Sequence, residues 1–115
     1  MQDNKALKLF KEVLAKTRAG RIQWNATEIA NQYSSGLPSG HRLVSSSLVQ
    51  IDDWGKPDNE FSLALCANEN ELLRVTSAVD GVDWPDLQEL HELARRSALG
   101  VNEELDQVLG ELAKL

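Results

Sequence analysis

Phe61-Ser62-Leu63-Ala64-Leu65-Cys66-Ala67-Asn68-Glu69-Asn70-Glu71-Leu72-Leu73-Arg74-Val75 is the stretch whose reading decides the fold. Phe61, Leu63 and Leu65 alternate with Ser62, Ala64 and Cys66, the period of a strand that buries one face. Asn68-Glu69-Asn70 has the composition of a turn, and Leu73 and Val75 then alternate with polar neighbours, so a second strand is expected from Leu72 to Ala78. Two strands joined by so short a turn pair antiparallel. Cys66 falls on the face opposite Phe61, Leu63 and Leu65.

Working upstream, Asp52 to Asn59 is a polar loop with Trp54 at its centre, and His41 to Ile51 is a further β block. Leu43, Val44, Leu48, Val49 and Ile51 surround three consecutive serines, Ser45 to Ser47. Neither face is uniformly apolar, which predicts a bend or bulge at the serines. Ser34 to Gly40 reads as a turn, and Thr27 to Tyr33 fits helix or strand equally. Arg21 to Ala26 alternates as a strand that turns Ile22 and Trp24 inward. From Ala6 to Ala19, the residues Ala6, Leu7, Phe10, Val13 and Leu14 share one side of a helix, with Leu9 at its margin. Lys5, Lys8, Lys11 and Lys16 take the other side. Asp3 or Asn4 can cap the first turn and Gly20 can stop the last.

Downstream, Asp80 to Asp83 closes the β region, and Trp84-Pro85-Asp86 opens a helix with Asp83 as its cap and Pro85 in its first turn. Leu87, Leu90, Ala94 and Ala98 share a face, Gly100 ends the helix, and Asn102 can cap a last one carrying Leu105, Val108, Leu109 and Leu112. The expected architecture is α+β: an N-terminal helix, a three- to four-stranded antiparallel sheet and two C-terminal helices packed on one face. Residues 1–115 suffice for one domain with its own core. The periodic apolar positions are expected to be consumed by internal packing.

The net charge is −6, unevenly spread: +3 over residues 1–20, −4 over 21–82 and −5 over 83–115. A net negative field repels phosphate, which disfavours nonspecific nucleic-acid binding. The lysine arc of the first helix, near Arg18 and Arg21, is the best site for an anionic partner, although an amphipathic helix ordinarily puts lysine in solvent. The lysine-rich and acidic poles favour head-to-tail or symmetric self-association. No apolar run has the roughly 18 residues of a membrane span, the first residues lack the apolar stretch of a signal peptide, and one cysteine cannot form an internal disulfide. The expected location is the cytoplasm.

Candidate chemistry is sparse. His41, His91 and Cys66 show no ligand spacing, so no metal or cofactor is expected. His91 borders the apolar stripe of its helix beside Glu92, where a half-buried packing histidine is a plainer reading than an acid–base group. Cys66 has neither adjacent base nor cation to activate it. Leu37-Pro38-Ser39-Gly40-His41 lacks the lysine and hydroxyl of a phosphate loop, and Ser45 to Ser47 lack the setting of a nucleophile elbow. These absences point away from an enzyme. Among the tryptophans, Trp24 is expected in the core and Trp84 beneath its helix. Trp54 either folds back onto the sheet or serves as an exposed interface anchor.

Thr17-Arg18-Ala19-Gly20-Arg21-Ile22-Gln23-Trp24, Leu87-Gln88-Glu89-Leu90-His91-Glu92-Leu93-Ala94-Arg95-Arg96-Ser97-Ala98 and the segment from Val101 to Leu112 resemble a scattered group of small uncharacterised bacterial proteins. These share a T-x-x-G-[KR]-[IL]-x-W step and an L-A-R-R-x-A helix pair, and residues 33–80 match only in β character. Arg95 and Arg96 stand at the paired arginines, to which the group lends no role. The resemblance implies an accessory, mobile or phage-associated origin and a partner-binding role. The expectation is a non-catalytic interaction module, an accessory or inhibitor protein, that binds a protein partner or a second copy through Trp54, the lysine arc, an edge strand or an uncovered sheet face. The alternative is a small-ligand or sensor domain with a pocket between sheet and C-terminal helices, lined by Trp24, Tyr33, Phe61 and His91.

Overall fold

A computed structural model describes residues 3–115 of the chain. Helix α1 (Asp3–Arg18) leads into five strands, β1 (Asn25–Ala26), β2 (Gln32–Gly36), β3 (His41–Ile51), β4 (Pro57–Ala67) and β5 (Asn70–Val75), followed by α2 (Trp84–Leu99) and α3 (Val101–Ala113). The strands form one antiparallel meander in the order β1-β2-β3-β4-β5. The fold is therefore α+β with an N-terminal helix, an antiparallel sheet and two C-terminal helices, and five strands rather than three or four.

The extra strand comes from the segment that fits either period. Residues 27–31 turn the chain, with Asn31 at φ 59°, and the Thr27 hydroxyl accepts from the Ile29 amide. Ser34, Ser35 and Gly36 belong to β2, so the expected turn shrinks to Leu37–Gly40, closed by the Gly40 amide on the Leu37 carbonyl. Of the strand expected over Arg21–Ala26 only Asn25 and Ala26 pair. The backbone before them is held instead by the end of α1, where the Gly20 amide donates to Thr17 and the Arg21 amide to Lys16, the double closure of a Schellman stop. Trp24 then folds back, its indole N–H donating to the Thr17 hydroxyl at 3.3 Å and its amide to the Ser97 hydroxyl at 3.0 Å. The T-x-x-G-R-I-x-W step is thus a helix stop locked by its own tryptophan.

The bulge expected at Ser45–Ser47 is absent there, and β3 pairs with β4 rung by rung from His41↔Ala67 to Ile51↔Pro57. The serines alternate instead: Ser45 faces the core while Ser46 bonds to Ser62 on the opposite face at 2.8 Å. The register shift falls between Leu65 and Cys66 opposite β5, and β5 ends at Val75 rather than Ala78.

One sheet face carries Tyr33, Leu43, Phe61, Leu63 and Val75, which bury together with Phe10, Val13 and Leu14 of α1 and Leu87, Leu90 and Ala94 of α2. Fully burying each large aliphatic or aromatic side chain contributes about 1.5–3 kcal/mol. Val44, Ala64 and Cys66 form a small cluster on the other face. That face is otherwise polar, with Arg74 donating to Ser62 at 2.9 Å and pairing with Glu71. The bidentate Arg18–Glu89 pair, both bonds 2.6 Å, ties α1 to α2.

Helix α2 begins after Asp83, whose side chain makes no capping bond, and ends at Gly100 in the left-handed region with φ 62°. Gly100 is also the N-cap position of α3, so Asn102, expected to cap that helix, lies inside it instead; the cap expected of Asp3 or Asn4 at α1 falls on side chains outside the described residues. Internal packing does not consume all the periodic apolar positions. Leu48, Val49 and Ile51 of β3 and Leu105, Val108, Leu109 and Leu112 of α3 are exposed. Within the chain α3 packs on α2 rather than on the sheet. The radius of gyration is 16.0 Å, against about 13 Å for a compact domain of this length. The accessible surface is 8293 Å², about 2,000 Å² more than the roughly 6,300 Å² of a compact monomer of this mass.

Candidate interaction surface

Strand lengths create the first exposed feature. β2 reaches only to Ser46 on one side of the central hairpin, and β5 begins its pairing at Leu63 on the other. The five rungs from Ser47↔Phe61 to Ile51↔Pro57 therefore continue as a two-stranded ribbon, about 17 Å long at ~3.4 Å per residue. Its lower half is held by the Trp84 indole, which donates to the Asn59 carbonyl at the middle rung at 3.0 Å and packs edge-on to Phe61 at the base.

The tip is built by Asp52. Its carboxylate accepts from the Trp54 amide at 2.9 Å and the Lys56 amide at 2.8 Å, while its carbonyl accepts from Gly55 at 3.0 Å. Gly55 has φ 76°, a left-handed geometry that glycine adopts without the steric penalty of a Cβ. This turn holds Trp54 outward, 86% exposed, with Ile51 at 74% and Leu48 and Val49 also exposed. Trp54 does not fold back onto the sheet. Exposed apolar side chains gathered at one end of a fold are a common feature of contact surfaces.

The second exposed feature is α3, every residue of which from 103 onward is exposed. Lys5, Lys8, Lys11 and Lys16 are also exposed, on α1. Arg18 beside that arc is engaged by Glu89.

Trp24, Tyr33, Phe61 and His91 are all buried. The His91 ring lies 5.4 Å from Tyr33 and 5.3 Å from Phe61, centre to centre, and its Nδ1 is 3.0 Å from the Ser45 hydroxyl. These side chains fill the space between sheet and α2. Burial pushes the His91 imidazole below its ordinary value, Glu92 opposing the shift and Arg95 adding to it. Two surface clefts open elsewhere: one of about 520 Å³ among Thr17, Arg18, Ile22, Ser97 and Glu103, and one of about 490 Å³ along α2 from Pro85 to Arg96. Cys66 is buried and unpaired. Among the described residues no group of three or more histidine, cysteine or acidic side chains could hold a metal ion, and no helix is long and apolar enough to cross a membrane.

The sequence points to Trp54 as a candidate contact but not to the ribbon beneath it. The signal for the ribbon is the length mismatch between an eleven-residue β3 and a five-residue β2, invisible until the turn at residues 27–31 is recognised. Fold and surface together define the class: a helix-covered antiparallel meander with an aromatic-tipped β arm and an uncovered C-terminal helix. No protein-family model, curated protein or solved structure matches the chain.

Proposed function

We propose that the chain is a non-catalytic interaction module, an accessory or inhibitor protein of the cytoplasm, that grips a protein partner with the tip of its β3–β4 arm. The observation that carries this reading is Trp54, 86% exposed on a turn fixed by two amide bonds to Asp52. The turn fixes the backbone that presents Trp54, and a large side chain with only two rotatable bonds loses little freedom on binding, one reason tryptophan is enriched at interface hot spots. Val49 and Ile51 continue the apolar surface down one face of the ribbon, Leu48 is exposed on the other, and Asp53 and Asp58 flank the tip. The fitting partner surface is an apolar pocket with a basic rim.

The test is capture from a host lysate by immobilised wild-type chain and by Trp54→Ala, each partner then identified and its affinity measured with purified protein. A specific partner whose affinity falls at least about 30-fold with Trp54→Ala, a hot-spot loss, supports the reading. A partner bound equally by both, or none bound at all, removes it.

A further inference from the structure

We infer that the β3 margin of the arm takes up one extended, basic segment of the partner protein as an added antiparallel strand. The inference rests on the reading of the β3–β4 arm as the partner-binding part of the chain, and it names the element of the partner that is bound.

Backbone parity decides which groups the margin offers. The Ser47 amide donates to the Asn31 carbonyl on the β2 side at 3.1 Å, and the Asp52 amide donates to the Lys56 carbonyl on the β4 side at 3.0 Å. The N–H and C=O of a strand residue point to one side and alternate along the strand. Val49 and Ile51 therefore turn theirs to the β2 side, beyond the last β2 rung at Gln32↔Ser46. Among the described residues nothing pairs with these donors and acceptors.

The opposite margin is guarded. On β4 the residues of matching parity are Pro57 and Asn59. Pro57 has no N–H to give, and the Asn59 carbonyl accepts from the Trp84 indole at 3.0 Å. From Leu48 to Ile51 the β3 side has no proline, bulge or charged side chain, the devices by which sheet edges are ordinarily closed.

The open groups specify a strand as occupant. In an antiparallel pair, one residue of the segment exchanges both bonds with Val49, and the residue two places along exchanges both with Ile51. Directly opposite residues share a face, so these two lie beside the Val49 and Ile51 side chains, 60% and 74% exposed, and are apolar. The residues between and beside them fall on the face of Leu48, where the rungs put Asp58 and Glu60. Residues 47–62 carry Asp52, Asp53, Asp58 and Glu60 against Lys56 alone. Lysine or arginine at the alternate positions of the segment is the complement, and the same acids repel a second copy of the arm.

The probe is the peptide acetyl-Lys-Val-Lys-Ile-Lys-amide, titrated to about 1 mM into isotope-labelled full chain, a range suited to the weak affinity of so few contacts. The expected result is saturable binding in which the backbone amide signals of Val49 and Ile51 shift most. Methylating the peptide's Val and Ile nitrogens is expected to weaken binding at least about 10-fold, and methylating its Lys nitrogens to leave it, because only the former face β3. Exchanging its lysines for glutamate is expected to weaken binding at least about 10-fold as well. Val49→Pro removes a margin donor and no bond to β4, so the chain keeps its circular dichroism and loses the probe; should that variant not fold, the methylated peptides carry the test on the wild-type chain. Absence of saturable binding, binding indifferent to the position of the methyl groups, or shifts centred away from Val49 and Ile51 overturns the inference. So does a concentration-dependent dimer lost in Val49→Pro, which would give the margin to a second copy. Trp54 lies outside the paired rungs, and Trp54→Ala is expected to leave probe binding unchanged. Failure of Trp54-dependent capture and failure of strand pairing are therefore read separately.

Discussion

The Ser45 hydroxyl lies 3.0 Å from Nδ1 of His91, both groups buried, in a layer where the imidazole rests between Tyr33 and Phe61. These surroundings favour the neutral imidazole, the main cause being removal from water. Its folded pKa lies below the ordinary 6.5, so between the two values the unfolded chain binds more protons than the folded one. Stability is then complete above about pH 6.5 and declines as pH falls below it. Urea midpoints measured between about pH 7.5 and 5 are expected to drop, and the drop should be largely absent in His91→Gln.

Thr17→Val tests the lock on the end of α1. The substitution keeps the shape but removes the acceptor of the Trp24 indole N–H, leaving a donor without a partner beside a ring that is 1% exposed. The expected loss is about 1–3 kcal/mol, read by chemical denaturation.

Gly81→Ala tests the passage beneath α1. Gly81 has φ 85°, and an added Cβ would lie 2.9 Å from Cδ2 and 3.2 Å from Cδ1 of Leu7. Strain at a positive φ and displacement of a core-packed leucine act together, for an expected loss of about 1–3 kcal/mol. Gly40→Ala shares a positive φ but meets nothing within 4 Å, so it should cost less.

Trp54→Ala is expected to change unfolding stability by less than about 0.5 kcal/mol, as for an exposed side chain away from the core. It should also remove the most quenchable tryptophan emission, because Trp24 is buried and Trp84 is partly covered. Acrylamide quenching of wild type and variant checks both.

Period alone made the β4–β5 hairpin and the covering faces of α1 and α2 readable: Leu63 and Val75 are fully buried where alternation places them, as are Leu87 and Leu90 at helical spacing. The β1–β2 region escaped because Gln32 to Gly36 has a turn-like composition, and its pairing with β3 overrides that local preference. The exposed residues escaped for a different reason. A hydrophobic pattern states that a side chain needs cover without stating whether the cover comes from the same chain, so Leu105 on α3 and Leu87 on α2 look alike in sequence. Trp54 was identifiable as a candidate, but its outward pose depends on Asp52 bonding two amides ahead of it.

The two ends of the meander are poor templates for a further strand: β1 has two residues, and β5 meets its neighbour through a register shift and presents Glu71 and Arg74. The ribbon between them differs, since among the described residues no strand flanks Leu48–Ile51 on one side or Pro57–Ser62 on the other. The Leu48–Ile51 margin is the open one, since on the other the Asn59 carbonyl already accepts from the Trp84 indole. An unpaired margin of this kind is also a template on which concentrated protein can stack strand upon strand into cross-β fibres.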